Sequence, residues 1–241
     1  MLEFDPIAAR YRGADYLRKN PSWDSEDSPW KAGKVRDLLA AHGLQPGSIV
    51  DVGCGAGFVL AELKHAYPAA RLSGYDIAPD AERFWASHRA SGIELVVGDF
   101  TATPTQQYDV LLALDVLEHL QDPVAFLARI KGCAKHYAFH IPLDFSATSV
   151  LRETPLLHVR RKVGHVHYYT RGLALALLDD CGYRVVNARY TGAAFTAPQR
   201  GWKARAAQLP RRLAFALNRD WGARLLSGEM LMVLATTENA R

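Results

Sequence analysis

The chain of 241 residues has room for one α/β domain with a sizeable core, and two full domains would be cramped. Its formal charge of +4 is modest for that length and singles out no nucleic-acid partner, while Cys54, Cys133 and Cys181 are odd in number, far apart and without CxxC spacing, which argues against a disulfide framework or a zinc site. The opening stretch is charged throughout, with no legible signal peptide, and no segment offers the roughly 18 to 20 uninterrupted apolar residues of a bilayer crossing. A cytoplasmic chain is therefore expected, at most peripheral to the inner face of the membrane.

In chain order, residues 1–30 are rich in aromatics, prolines and acids and read as a lid, with Trp30 placed to cover a ligand. A helix from Trp30 to Ala41 leads into a first strand at Ser48 to Val52. Strand-like runs follow at Arg71 to Asp76, Ile93 to Val97, Tyr108 to Leu114 and Tyr137 to Ile141, alternating with helical stretches. Pro79 sits in a first turn, and Asp122 with Pro123 opens the segment containing Phe126, Leu127 and Ile130. Thr170 is the expected cap of a helix through Leu178 that ends near Cys181 and Gly182. Strands at Tyr183 to Tyr190 and Glu229 to Ala235 then close the sheet as an antiparallel pair. The alternation predicts an α/β, doubly wound, Rossmann-like sheet of seven mostly parallel strands with an antiparallel last strand. Residues 31–194 and 228–241 form the core of one domain, and 195–227 a basic helical insertion before the last strand.

The central signal is Ile49-Val50-Asp51-Val52-Gly53-Cys54-Gly55-Ala56-Gly57, an apolar strand running into a glycine-rich turn and then a helix. Glycines there allow tight turning and close ligand approach. A dinucleotide fingerprint would want glycine at position 58, where this chain has Phe58, so the NAD reading weakens. Downstream, Gly74-Tyr75-Asp76 places a carboxylate at a strand end where it accepts hydrogen bonds from ribose hydroxyls. Val97-Gly98-Asp99-Phe100 sets Asp99 near an adenine amino group and Phe100 against the ring.

Together, D-x-G-C-G-x-G, G-Y-D-I, V-G-D-F and Y-D-V-L-L-A-L-D-V-L-E-H-L resemble the class I S-adenosylmethionine-dependent methyltransferases over about residues 48–141, with a likeness to the ubiquinone-type O-methyltransferases. The resemblance implies S-adenosylmethionine as cofactor and S-adenosylhomocysteine as its product. It implies that Asp51, Gly53 and Gly55 line the methionine end, Asp76 the ribose, Asp99 and Phe100 the adenine, and Leu114 and Asp115 the sulfonium side. Cys54, Gly57 and Ile77 belong to the same motifs and are assigned to the same site.

Methyl transfer is an in-line displacement, so the protein must align the acceptor and take up any proton it carries. Candidates for the base follow the fourth and fifth strands: Asp115, Glu118, His119, His140, Asp144, His165, His167, Tyr168 and Tyr169. His140, in Phe139-His140-Ile141-Pro142, is expected to face the acceptor pocket, and His165 and His167 to point the same way if Gly164–Thr170 is extended. These three histidines are the catalytic expectation. Asp115, Glu118 and His119, at i, i+3 and i+4, share a helical face. They resemble the Glu-x-x-Glu-His metal motif of small-RNA 3′-terminal 2′-O-methyltransferases, with Asp115 departing at the first acid and a distant histidine needed to complete it. Glu-His after this strand also occurs in metal-independent relatives, and no metal ligand is assigned.

Acid-rich S-P-W-K segments like that at Ser28–Lys31 occur in methyltransferases linked with surface-polysaccharide biosynthesis, which points to a saccharide or other small-metabolite hydroxyl as acceptor. Arg160, Arg161 and Lys162 add positive charge near the presumed pocket. Residues 199–227 carry Arg200, Lys203, Arg205, Arg211, Arg212, Arg219 and Arg224 against the single acid Asp220, with Trp202, Leu209, Leu213, Phe215, Leu217, Trp221, Leu225 and Leu226 interleaved. Amphipathic helices broken at Pro210 are expected, suited to an anionic membrane or a phosphate-bearing acceptor. A metal-assisted RNA ribose methyltransferase and a catalytically silent cofactor-binding partner are the competing readings; no RNA-binding module is recognisable.

Overall fold

The computed structural model describes residues 7–13, 17–18, 20–23, 25–102, 107–196 and 208–237. Arg200, Trp202, Lys203 and Arg205 of the basic segment lie outside the described residues, as does the side chain of Leu209.

Runs rich in β-branched and aromatic residues form β1 (Ser48–Val52), β2 (Arg71–Asp76), β3 (Glu94–Val97), β4 (Tyr108–Leu114), β5 (Ala134–Pro142), β6 (Tyr183–Tyr190) and β7 (Met230–Thr237). They make one seven-stranded sheet in the order β3-β2-β1-β4-β5-β7-β6. The first five strands are parallel, and β7 runs antiparallel to both neighbours, β5 and β6. Strand order reverses between β1 and β4, the point at which open α/β sheets leave a crevice beyond their carboxyl ends. Two strands are longer than their apolar runs suggest. β5 begins at Ala134, paired with Tyr108, and β7 runs on to Thr237, paired with Tyr183. Glu229 lies just before β7, and its buried carboxylate accepts the Gly192 N–H and an Arg219 N–H.

The two-residue side-chain period distributes the core over both faces. Val50, Leu111, Tyr137, Phe139 and Val233 pack against α5 (Pro123–Ile130) and α8 (Arg171–Asp180). Ile49, Leu72, Val110, Leu112, Ala138 and Met232 pack against α2 (Ser28–Ala41) and α3 (Phe58–Ala66). By the same alternation Asp51 and His140 fall on the α2 side, where Trp30 and Lys31 approach. Helix α2 starts two residues before the expected Trp30, with Pro29 in its first turn. Asp122 accepts from the Ala125 N–H at 2.9 Å to cap α5, and Thr170 from the Leu173 N–H at 3.2 Å to cap α8.

Near the carboxyl end, α10 (Gln208–Leu217) and α11 (Arg219–Leu226) follow one another. The expected break at Pro210 is corrected. Pro210 lies in the first turn of α10, where a missing N–H costs nothing, and the break falls at Asn218, whose side chain caps α11 by accepting from Trp221. Five further α-helices are described: α1 (Ala9–Arg12), α4 (Ala86–Ala90), α6 (Ala147–Arg152), α7 (Thr154–Lys162) and α9 (Ala193–Thr196). Among the described residues no helix is long and apolar enough to cross a membrane.

Candidate active site

A cavity of about 1000 Å³ opens at the carboxyl edge of β1, β2 and β4. The turn after β1 is its floor. Gly53 has φ 80° and Gly55 φ 52°, both left-handed; a Cβ at Gly53 would stand 2.7 Å from Val116 Cγ2 and one at Gly55 2.8 Å from the Trp23 ring. The Gly55 carbonyl accepts from Trp85 Nε1 at 2.9 Å, and its N–H donates to Asp76 Oδ2 at 2.8 Å. Asp76 Oδ1 accepts the Ala78 N–H at 2.8 Å, so this carboxylate is fixed to both the turn and its own strand end. Burial pushes the Asp76 carboxyl upward against those two bonds.

Asp51 is 2 % exposed, and its Oδ1 is buried without a hydrogen-bond partner among the described residues. Burial, with the Asp76 charge second, pushes its carboxyl up to about 7. Asp99 Oδ1 accepts from the Thr101 N–H and hydroxyl, both at 2.8 Å, and Phe100 stands edge-on to Tyr75 with centroids 5.1 Å apart. Asp51, Gly53, Cys54, Gly55, Gly57, Asp76, Ile77, Asp99, Phe100, Leu114, Asp115 and Trp30, the whole expected cofactor set, line this one cavity.

Asp115 holds the junction between the two halves. It is a non-glycine residue at φ 56°, a strained conformation maintained by two partners. Its Oδ2 receives Lys31 Nζ at 2.7 Å and its Oδ1 the His140 Nδ1–H at 2.6 Å. Burial opposes ionisation, but His140 and Lys31 together hold the carboxyl far below the usual carboxylate range.

Beyond Asp115 lies a second cluster. Glu118 is fully buried, neither carboxylate oxygen has a well-formed hydrogen bond to another of the described residues, and burial with the nearby Asp115 charge drives its carboxyl well up. His119 Nε2 and His165 Nε2 approach Glu118 Oε1 at 3.8 and 3.9 Å. His119 Nδ1 bonds the Tyr11 oxygen at 2.7 Å, and burial with His165 lowers the His119 imidazole to about 3. His165 Nδ1–H donates to Asp144 Oδ2 at 2.8 Å.

The three histidines expected to be catalytic separate. His165 lines the cavity. The expectation that His140 faces the acceptor pocket is corrected: it is 1 % exposed, does not line the cavity, and packs edge-on to Trp30 behind Asp115. The expectation that His167 shares the direction of His165 is corrected too. Residues 164–170 form no strand; the Val166 and His167 N–H groups both close on the Glu118 carbonyl, and His167 Nε2–H turns to the Leu120 carbonyl at 3.0 Å. Trp30 lines the cavity with its Nε1–H donated to Thr196, while the ring against the glycine turn is that of Trp23. Lys162 of the basic run before the histidine segment lines the cavity, together with Arg12 and Arg129.

Tyr11 and Trp85 carry no local signal of a site role. Trp23 and Lys31 belong to the aromatic and acidic run that reads as a flap, but their contacts with the glycine turn and with Asp115 do not follow from it.

The family model for a methyltransferase domain matches residues 27–188. The chain is 32% identical over 164 residues to a trans-aconitate 2-methyltransferase of Mycobacterium sp. (strain KMS), covering 62% of this chain and 63% of that protein. It is 33% identical over 103 residues to a ubiquinone biosynthesis O-methyltransferase of Vibrio vulnificus (strain YJ016), covering 40% and 42%. The chain thus spans less than two thirds of the length of the curated relatives it matches. In fold it is similar to the magnesium protoporphyrin IX methyltransferase of Synechocystis PCC 6803 with bound S-adenosylhomocysteine, with a TM-score of 0.62 at 16% identity over 96% of this chain and 100% of that one.

Proposed function

The chain belongs to the methyltransferase-domain family, and we propose that it moves the methyl group of S-adenosylmethionine to a hydroxyl of a small anionic metabolite, a saccharide phosphate being the type case. The observation that carries this reading is the division of one cavity into an acid-lined half, with Asp51, Asp76 and Asp99, and a histidine-lined half at His165.

The residues present fit the cofactor. The orphaned Oδ1 of Asp51 suits the ammonium of the methionine moiety, which would draw the carboxyl down from about 7. Asp76 keeps lone pairs for ribose hydroxyls beside its two backbone bonds, and Asp99 with Phe100 suits adenine. Gly53 and Gly55 leave open the space a Cβ would fill. Bound there, S-adenosylmethionine supplies a methyl group on a positively charged sulfur.

On the acceptor side, His165 takes the hydroxyl proton at Nε2, its Nδ1–H held by Asp144 at 2.8 Å. His140 acts through Asp115, which it and Lys31 fix beside Leu114. Arg12, Arg129 and Lys162 give the cavity cations for a phosphate or carboxylate on the acceptor. Transfer of labelled methyl from S-adenosylmethionine into a panel of hydroxylated phosphates and acids tests the reading. His165→Ala is expected to lower kcat by about 100-fold or more. No transfer to any member by a wild type that binds the cofactor would refute it.

A further inference from the structure

We infer that Glu118, His119 and His165 bind a divalent transition cation at the acceptor end of the cavity. One donor atom from each lies within 4.8 Å of the others, and both imidazole Nε2 atoms stand 3.8 and 3.9 Å from Glu118 Oε1. A cation bonded to nitrogen and oxygen at about 2.0–2.2 Å sets its donors roughly 3 to 4 Å apart. The cluster needs only a small inward movement to close on one.

The second nitrogens of the two rings decide which way the lone pairs point. His165 Nδ1 faces a carboxylate oxygen of Asp144 at 2.8 Å and must carry hydrogen there. The Tyr11 oxygen lies 2.7 Å from His119 Nδ1 and 3.2 Å from the Val163 carbonyl; with the Tyr11 hydrogen on that carbonyl, His119 carries its own on Nδ1. Both Nε2 atoms are then unprotonated and turned toward Glu118. Metal-bound histidines are held in this way, by an outer partner on the far nitrogen.

A hydrogen-bonded cluster without a cation fits less well. A protonated Glu118 would have to donate to an imidazole, and separations of 3.8 and 3.9 Å are too long for that. Both Glu118 oxygens are instead buried with no well-formed hydrogen bond to another of the described residues, a costly arrangement that a cation resolves. Asp115 is not part of the set, since Lys31 and His140 occupy its oxygens. Two imidazoles and one carboxylate suit zinc, cobalt, iron or manganese better than magnesium or calcium. All three side chains line the cavity, which leaves the remaining coordination positions to water and an acceptor oxygen. That last role rests on the methyl-transfer reading; the site itself does not. With a cation in place, His165 lends its lone pair to the metal, and the cation takes over the task of making the acceptor hydroxyl acidic.

The full chain, stripped with a chelator and dialysed, is titrated with Co²⁺ followed by its visible absorption, with Zn²⁺ as competitor. Binding of S-adenosylhomocysteine is measured on the same samples. One Co²⁺ per chain, displaced by Zn²⁺, is expected. Glu118→Gln and His165→Gln should abolish uptake, Asp144→Asn should weaken it about tenfold, and His167→Gln should leave it unchanged. Wild type that binds S-adenosylhomocysteine but takes up neither metal overturns the site, as does undiminished uptake by Glu118→Gln. Where a variant fails to fold, the wild-type spectrum decides: bands of mixed nitrogen and oxygen ligation support the site, and their absence overturns it. Cobalt uptake without S-adenosylhomocysteine binding supports the cation site and sinks the methyl-transfer reading.

Discussion

Asp51 keeps its proton up to about pH 7 in the folded chain, whereas the unfolded chain loses it near 3.8. Between those values the native state holds more protons than the unfolded one, so this residue makes the fold less stable as pH rises. Asp51→Asn cannot ionise. Its Tm is expected to gain on wild type by roughly 3–8 °C on going from about pH 5 to about pH 8, while cofactor binding is lost. A melting series across pH checks this; a constant difference would refute it. Asp115 works with the opposite sign. Its depressed carboxyl adds stability above the ordinary carboxylate range, and that stability fades as pH falls below it. Lys31→Met leaves the buried charge with His140 alone and is expected to cost about 2–4 kcal/mol in a urea melt at neutral pH, with the difference shrinking in acid. Asp51, Asp76, Asp99 and Phe100 were legible in the sequence because each sits at the end of an apolar run, where the fold fixes its place. The partners of Lys31, Tyr11 and Trp23 were not, because these side chains reach the site from segments far away in sequence. His140 misled for a physical reason: side-chain alternation in β5 gives its face correctly but cannot say that Asp115 and Trp30 close over it.

At the scale of elements, the turn between β1 and α3 does the most with the least chain. Gly53→Ala would place a Cβ 2.7 Å from Val116 Cγ2 at a φ of 80°. The variant is expected to lose about 1–2 kcal/mol of stability and most of its cofactor affinity, read by thermal melting and ligand titration. Thr170→Ala, which removes only the cap of α8, is expected to cost about 1 kcal/mol and leave cofactor binding intact. Every strand was legible from its apolar run, and their ends drifted where pairing outran composition, as at Ala134 and Thr237. Strict alternation did not carry His167 to the side of His165 in residues 164–170, where two successive backbone N–H groups close on the one Glu118 carbonyl. Pro210 failed as a helix breaker because a proline in a first turn and one in an interior read alike until the start of the helix is known.

Over the whole molecule, the sheet carries the cavity at one edge and sets α10 and α11 as an appendage before β7. Leu217 is 89 % exposed and Trp221 60 %, with Arg224 over the Trp221 ring at 5.8 Å. Thr148 donates to the Leu225 carbonyl at 2.8 Å, which lays α6, with its exposed Val150 and Leu151, beside α11. The charge excess of this segment was plain in composition, but the exposure of particular side chains was not, since it depends on how α10 and α11 pack. The central claim is the cofactor site, and titration calorimetry with S-adenosylhomocysteine on wild type and Asp76→Ala tests it most directly. Micromolar binding by wild type, weakened at least about tenfold in the variant, is the predicted result; a folded wild type that shows no binding would contradict the account.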